Sequence, residues 1–156
     1  MKKISLSLIP FLLLSWGIAA FVEYLTKESV DNWYVMLVKP AWFPPLWIFF
    51  PIWAVLYLFI ALVGWLLYKA PRSKERTYAL VFYGIQLCLN PLWFYLFFYR
   101  NEMGLGLIDL IFLWATIFLI LLLSYYVSKP ATYLFILYFL WVSFALVLNS
   151  AIYLLN

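Results

Sequence analysis

A few side-chain amides in this sequence recur at helical spacing beside indoles, inside stretches that are otherwise apolar. Gln86, Asn90 and Trp93 stand at i, i+4 and i+7, so they share one face of a helix. An amide surrounded by hydrocarbon must find a hydrogen-bond partner, and we therefore expect this face to point into a helix bundle. Such amides either orient a ligand or join helices to one another, and the spacing leaves both roles open.

Two further stretches have the spacing i, i+4 and i+8, which also places residues on one helix face, and each contains an indole: Trp141, Ala145 and Asn149, and Phe49, Trp53 and Tyr57. Aromatic residues make up 24% of the chain, including nine Trp, whereas helices that only need to pack closely favour small residues. Large rings hold helices apart and leave slots between them. Three aromatic stripes with few polar groups therefore predict a mostly apolar pocket for a flat ligand.

Other reactive side chains are scarce. The sequence has no histidine, which excludes His-ligated haem, His-based metal sites and Ser-His triads. Its one cysteine, Cys88, lies in an apolar run and is predicted to be a buried, inert thiol. Glu23 and Asp109 are the acids inside or beside apolar stretches, and we expect each to cap a helix or lie at an interface. We predict no metal site and no cofactor, so any reaction must take its reactivity from a bound ligand.

The composition places these residues in a membrane. Of the 156 residues, 69% are hydrophobic and 10% are charged, far from the roughly 45–50% and 25% of soluble domains. The length suits a single domain, residues 1–156, without a linker. The net charge of +4 comes from basic residues at the ends of apolar runs, where they contact lipid headgroups, and this excludes a nucleic-acid-binding face.

Five apolar segments are long enough to cross the hydrocarbon core as helices: 4–25, 46–68, 77–99, 104–127 and 131–155. The predicted fold is an all-α integral membrane protein, a bundle of five transmembrane helices. Pro45 is predicted to begin the second helix and Ser128 to cap the fifth, with Pro130 in its first turn. Pro91, inside the third, predicts a kink near residues 87–91.

Basic residues predict the orientation. Seven lie on one face: Lys2, Lys3, Lys69, Arg72, Lys74, Arg76 and Lys129. The other face has Lys27, Lys39 and Arg100. The positive-inside rule then places the N-terminus in the cytoplasm and the C-terminus outside. The alternative that the first segment is a signal peptide is disfavoured because its apolar run is too long.

The segment 26–45 is predicted to be the one long loop, and it is rich in proline and aromatic residues such as Trp33, Tyr34, Trp42 and Pro44. A stiff, amphipathic segment of this kind can lie over the mouth of the bundle as a lid. The same residues also fit an interfacial belt that only anchors the helices.

Three blocks of the sequence form a distinctive pattern: Trp33-Tyr34-x-x-Leu37-x-Lys39-Pro40-x-Trp42-x-Pro44-Pro45 with Phe49, Trp53 and Leu56-Tyr57; Gln86-x-x-Leu89-Asn90-x-x-Trp93-x-x-x-Phe97-Phe98; and Trp141-Val142-Ser143-Phe144-Ala145-x-x-Leu148-Asn149-x-x-Ile152-x-x-x-Asn156. This pattern resembles that of the TspO/MBR family of tryptophan-rich sensory and translocator proteins. The resemblance implies a five-helix bundle, often a homodimer, whose first loop closes a pocket for porphyrins, chiefly protoporphyrin IX, and for synthetic ligands of the benzodiazepine site. It also implies that Trp53 and Trp141 take part in light-dependent oxidative breakdown of the porphyrin.

The stripes and the resemblance together predict these ligand-binding residues: Tyr34, Pro44, Phe49, Trp53, Tyr57, Gln86, Asn90, Trp93, Trp141, Ala145, Leu148 and Asn149. The chain departs from the family at Leu137, where many relatives have a bend-forming Pro, and at Tyr153, which lacks the basic residue of the animal sterol motif. We therefore expect a bacterial inner-membrane member that does not recognise cholesterol. Transport of an apolar metabolite, and partner binding without a small ligand, remain alternatives.

Overall fold

Five long α-helices make up most of the chain in the computed structural model, which describes residues 6–156. They are α1 (Ile9–Asn32), α2 (Phe49–Lys69), α3 (Lys74–Phe94), α4 (Met103–Val127) and α5 (Lys129–Leu155). Each, with its flanking turns, is long and apolar enough to cross a membrane. The predicted all-α, five-span membrane fold is thus confirmed. Lys2 and Lys3, used above for orientation, lie outside the described residues.

The first helix is longer than predicted. α1 continues to Asn32, well beyond the expected end at residue 25, through the charged residues Lys27, Glu28 and Asp31. Hydropathy marks where a helix leaves the hydrocarbon, but the backbone continues to satisfy its own hydrogen bonds above that level, so the helix does not end there. The first loop is therefore residues 33–45, with a single 3₁₀ turn at Tyr34–Met36.

Helix ends use their polar residues in different ways. The Ser73 hydroxyl accepts a hydrogen bond of 3.1 Å from the Arg76 amide and so caps α3. The Arg76 guanidinium donates to the Leu67 carbonyl at 3.0 Å, which satisfies the last turn of α2. Ser128 occupies the predicted N-cap position of α5, with Pro130 in the first turn, although its side chain makes no capping hydrogen bond.

The third span changes pitch near its C-terminal end. α3 runs through Pro91 to Phe94 and continues as a π-helical turn, Tyr95–Tyr99. Pro91 cannot donate to the carbonyl four residues earlier, which loosens the backbone before this turn. Wider turns of this kind often lie at functional sites. A kink at residues 87–91 stays a prediction.

Packing is uneven among the helices. α3, α4 and α5 pack extensively on one another, whereas α1 packs mainly on α2 and on the π-helical turn. Only 11% of the apolar window of α1 is buried, compared with 39% in α4 and in α5. Ser15 of α1 donates to the Tyr57 carbonyl of α2, and Trp65 of α2 donates to Ser7 at 3.0 Å. The first span is thus held to α2 near its N-terminal end, at Ser7 and Ser15, and most of the surface of α1 lies outside the core.

Two sequence predictions about single residues are wrong. Cys88 is exposed on the outer surface of α3, because the inward face of that helix is the one that carries Gln86 and Asn90. Asp109 neither caps a helix nor lies at an interface with water. Its side chain is buried on the face of α4 that packs on the other helices, and its Oδ2 atom has no hydrogen-bond partner among the described residues.

Candidate ligand-binding cavity

A cavity of about 290 Å³ lies between α1, α2, α3 and α5, on the side of the bundle where α1 is loosely packed. Nine of the residues predicted to bind a ligand line it: Tyr34, Phe49, Trp53, Tyr57, Trp93, Trp141, Ala145, Leu148 and Asn149. The other three, Pro44, Gln86 and Asn90, do not reach its wall. The wall is almost entirely apolar and aromatic, as expected of a small-molecule site.

The two indoles singled out by the sequence face the same space from opposite helices. Trp53 of α2 stacks on Trp93 of α3, with ring centroids 6.2 Å apart and planes at 27°. Trp141 of α5 meets Phe49 of α2 edge to face at 5.5 Å. Because Trp53 and Trp141 are only half-buried, parts of both rings stay free for a ligand.

The amides of α3 serve the bundle instead of the cavity. The Tyr57 hydroxyl donates to Asn90 Oδ1 at 2.7 Å, and Asn90 Nδ2 donates to the Tyr138 hydroxyl at 3.0 Å. Tyr138 in turn donates to Gln86 Oε1 at 3.3 Å. This buried chain joins α2, α3 and α5, so Gln86 and Asn90 have the interhelical role that the spacing had left open. Its link to the cavity is Tyr57, which it holds in place.

Sequence reasoning missed the wall that α1 supplies. Trp16, Ala20, Glu23 and Val30 line the cavity from this helix. The spacing i, i+4, i+7 and i+14 would have shown that they share a face. The signal was hidden because α1 has only one indole and no amide in its apolar part.

The cavity opens sideways between α1 and α2. Every exposed lining residue belongs to one of these helices: Trp16, Ala20, Glu23, Phe50 and Ala54. Trp16 and Phe50 have 54% and 58% of their surface exposed. At this depth of a membrane-spanning helix the exposed face meets lipid, so an apolar ligand dissolved in the bilayer has direct access to the cavity. These five residues are called the lateral opening below.

The amino-acid sequence is similar to those of known proteins. A model of the TspO/MBR family matches residues 9–155. The chain belongs to the TspO/MBR family. It is 36% identical to the tryptophan-rich protein TspO of Chlorobaculum tepidum over 138 residues, 84% of each chain. It is 36% identical to the TspO of Archaeoglobus fulgidus over 151 residues, 97% of each, and 38% identical to the translocator protein of Bos taurus over 126 residues, 80% of this chain and 75% of that one. It is therefore a multi-pass membrane protein.

In this TspO/MBR protein the first loop holds its own shape. The Lys39 ammonium donates to the carbonyls of Tyr34 and Leu37, at 2.6 and 3.1 Å. It also lies 4.8 Å from the centre of the Tyr34 ring and 5.7 Å from that of Phe43. Burial raises the pKa of the Tyr34 hydroxyl above its ordinary value, so this group stays protonated even in alkaline solution.

The loop also closes one end of the cavity. Tyr34 is buried on Phe98 of the π-helical turn, with ring centroids 5.2 Å apart, and Trp42 meets Phe144 of α5 at 6.0 Å. The Asn156 side chain accepts from the Val38 amide and donates to the Val38 carbonyl, both at 3.0 Å. The loop is therefore fastened to the π-helical turn and to α5 beside the cavity, which is the arrangement that a lid requires.

Leu137 and Tyr153, the two departures from the family pattern, both lie on α5 with exposed side chains. Leu137 lies on the exposed face of α5, which is one continuous helix from Lys129 to Leu155. Tyr153 is also half exposed, and its ring lies against Gly104 of α4.

Proposed function

We propose that this protein binds a tetrapyrrole, protoporphyrin IX or a related one, within the membrane. The observation that supports this best is that Trp53 and Trp141 line one apolar cavity from opposite sides, each with part of its ring free. Indoles provide flat surfaces on which an extended π-system stacks, at about 0.5–1.5 kcal/mol per pair beyond the area that is buried. With no imidazole in the sequence, a metal-free porphyrin suits the site better than a haem.

The size of the cavity decides how such a ligand would lie. At about 290 Å³ the cavity is at the lower end of small-molecule sites, which hold about 300–1,000 Å³. A macrocycle would therefore extend through the lateral opening, with its apolar edge in the bilayer. An apolar, membrane-dissolved ligand tolerates this position, whereas a water-soluble metabolite would not.

A titration tests this proposal. We expect protoporphyrin IX added to the detergent-purified protein to shift its Soret band and quench Trp fluorescence saturably. Changing Trp53 and Trp141 together to Ala should weaken binding by about tenfold or more, because two stacking contacts are lost. Trp114→Ala is the matched control, since Trp114 is half-buried between α4 and α5 and does not line the cavity.

Absence of saturable binding to the unaltered protein would contradict the function. Equal affinity in the double Ala variant and the Trp114→Ala variant would contradict this position of the site.

Light-dependent oxidation of the bound porphyrin by molecular oxygen is the second candidate, with Trp53 and Trp141 as the participating side chains. It is favoured by the contact that both rings would make with a ligand in this cavity. The Soret band should then bleach faster under illumination with the unaltered protein than with a variant carrying Trp53→Phe and Trp141→Phe, at equal ligand occupancy. Equal rates and products would leave binding as the function.

The remaining parts of the proposal concern the location, orientation, assembly and sterol recognition of the protein. They are a bacterial inner-membrane location, a cytoplasmic N-terminus, a homodimer and no recognition of cholesterol. A reporter fused to each terminus, read on both sides of the membrane, tests the orientation.

A further inference from the structure

Two residues that line the cavity from α5 have buried hydrogen-bond donors without a partner in the described part of the chain. Asn149 has only 2% of its surface exposed and lines the cavity, yet its Nδ2 group makes no hydrogen bond among the described residues. The Nε1 group of Trp141, which lies on the same face of α5, is also buried and unpartnered. Leaving a donor buried and unpaired costs about 1–3 kcal/mol, so each of these groups favours a ligand that supplies an acceptor.

The orientation of the Asn149 amide is fixed by its neighbour. The Trp93 indole donates its Nε1 hydrogen to Asn149 Oδ1 at 3.1 Å. An indole N–H can only donate, so the amide oxygen must face Trp93 and the NH₂ group must face away from it. Trp93 is thus a positioning residue that determines which end of the amide is left for a ligand.

The two donors lie at different depths. They are eight residues apart on α5, which corresponds to about 12 Å along the helix axis. Asn149 is six residues from Leu155, the last residue of α5, or about 9 Å from the end of the helix on the side of the first loop. An ionised group is far less costly near that end than beside Trp141 in the middle of the span.

We infer that Asn149 is the specificity-determining donor of this cavity and that it recognises a carbonyl or carboxylate oxygen on the rim of a flat apolar ligand. The site then selects flat ligands that carry acceptors over pure hydrocarbon macrocycles of similar size, and it places their polar edge towards the first loop.

Because a flat ligand in this cavity is itself the proposed function, the test compares three porphyrins. Protoporphyrin IX has carboxylates, its dimethyl ester keeps carbonyl oxygens without the charge, and octaethylporphyrin has neither. Asn149→Leu should weaken binding of the acid and of the ester by about 3- to 10-fold, the loss expected for one hydrogen bond, and leave octaethylporphyrin unchanged. Asn149→Asp keeps the acceptor for Trp93 but should repel the acid more strongly than the ester.

Ser150→Ala is the control, because the Ser150 hydroxyl donates only to the Leu146 carbonyl of its own helix, at 2.8 Å. A protein that binds none of the three porphyrins would overturn the proposed function together with this inference. A protein that binds all three, with the same affinity ratios in Asn149→Leu and in Ser150→Ala, would overturn the inference alone. Should Asn149→Leu not fold, Trp93→Phe frees the amide to rotate and should reduce the preference for acceptor-bearing porphyrins.

Discussion

Removing the Asn156 amide should release the first loop. In the structure this side chain pairs with both backbone groups of Val38, much as a neighbouring strand would, and a third bond of 2.8 Å to the Ile152 carbonyl holds it in position. The loop keeps its internal shape through Lys39, which does not contact Asn156. We therefore expect Asn156→Leu to let the loop move away from α5 as one body without unfolding.

The size of the effect follows from the two lost bonds. Each contributes about 0.5–1.5 kcal/mol, and because these atoms are exposed, water replaces part of that when the loop opens. A loss of about 1–2 kcal/mol raises the open population by a factor of about 5–30. Hydrogen exchange at Val38 should accelerate by that factor, and release of a bound porphyrin should accelerate in parallel.

The assay is hydrogen exchange read by mass spectrometry on detergent-purified protein, comparing peptides from the loop with peptides from α4. Ser150→Ala serves again as the control, since its lost bond lies within α5. Unchanged exchange in the loop would refute the idea that Asn156 fastens it. An equal acceleration in α4 would show global destabilisation instead and would refute it as well.

Two further predictions concern the lateral opening and helix packing. Ala20→Trp should fill the opening and slow porphyrin association by about tenfold in a stopped-flow measurement, whereas Leu13→Trp, on an exposed part of α1 away from the cavity, should not; equal rates would argue against lateral entry. Gly64→Ala should lower stability by about 1–3 kcal/mol in thermal unfolding, because a Cβ atom there would clash with the Tyr83 ring. Gly84→Ala, with open space around its Cβ, should be neutral or stabilising by up to about 1 kcal/mol, and a similar loss in both variants would contradict the packing argument.

The helices were predictable because crossing hydrocarbon imposes a length and a composition that few other structures share. Which residues lie inside the bundle was much harder to predict, since lipid is as apolar as a protein core and hydrophobicity does not separate the two. Cys88 shows this: its apolar neighbours in the sequence suggested burial, but its side chain lies on the exposed surface of α3. The amides were the better guide, because Gln86, Asn90 and Asn149 must avoid lipid and do all point inward.

The α1 wall was missed for a related reason. A helix that contributes mostly small residues and one exposed indole to a cavity has no amide in its apolar part to mark its inner face. Its contribution through Ala20 and Val30 depends on how far α1 stands from α5, and that distance is set by the packing of other helices. Spacing within a single helix contains no information about it.

Asn90 and Asn149 show how far residue type alone can identify a binding site. Both are buried amides on a helix face that also carries an indole, and residue type alone leaves a structural and a ligand-binding role open for each. In the structure two tyrosine hydroxyls pair with the amide oxygen and nitrogen of Asn90. Among the described residues, Asn149 forms a side-chain hydrogen bond only with Trp93. This donor uses the amide oxygen, so the NH₂ group stays unpaired. The chemistry of the neighbour thus separates a structural amide from one that is still available to a ligand.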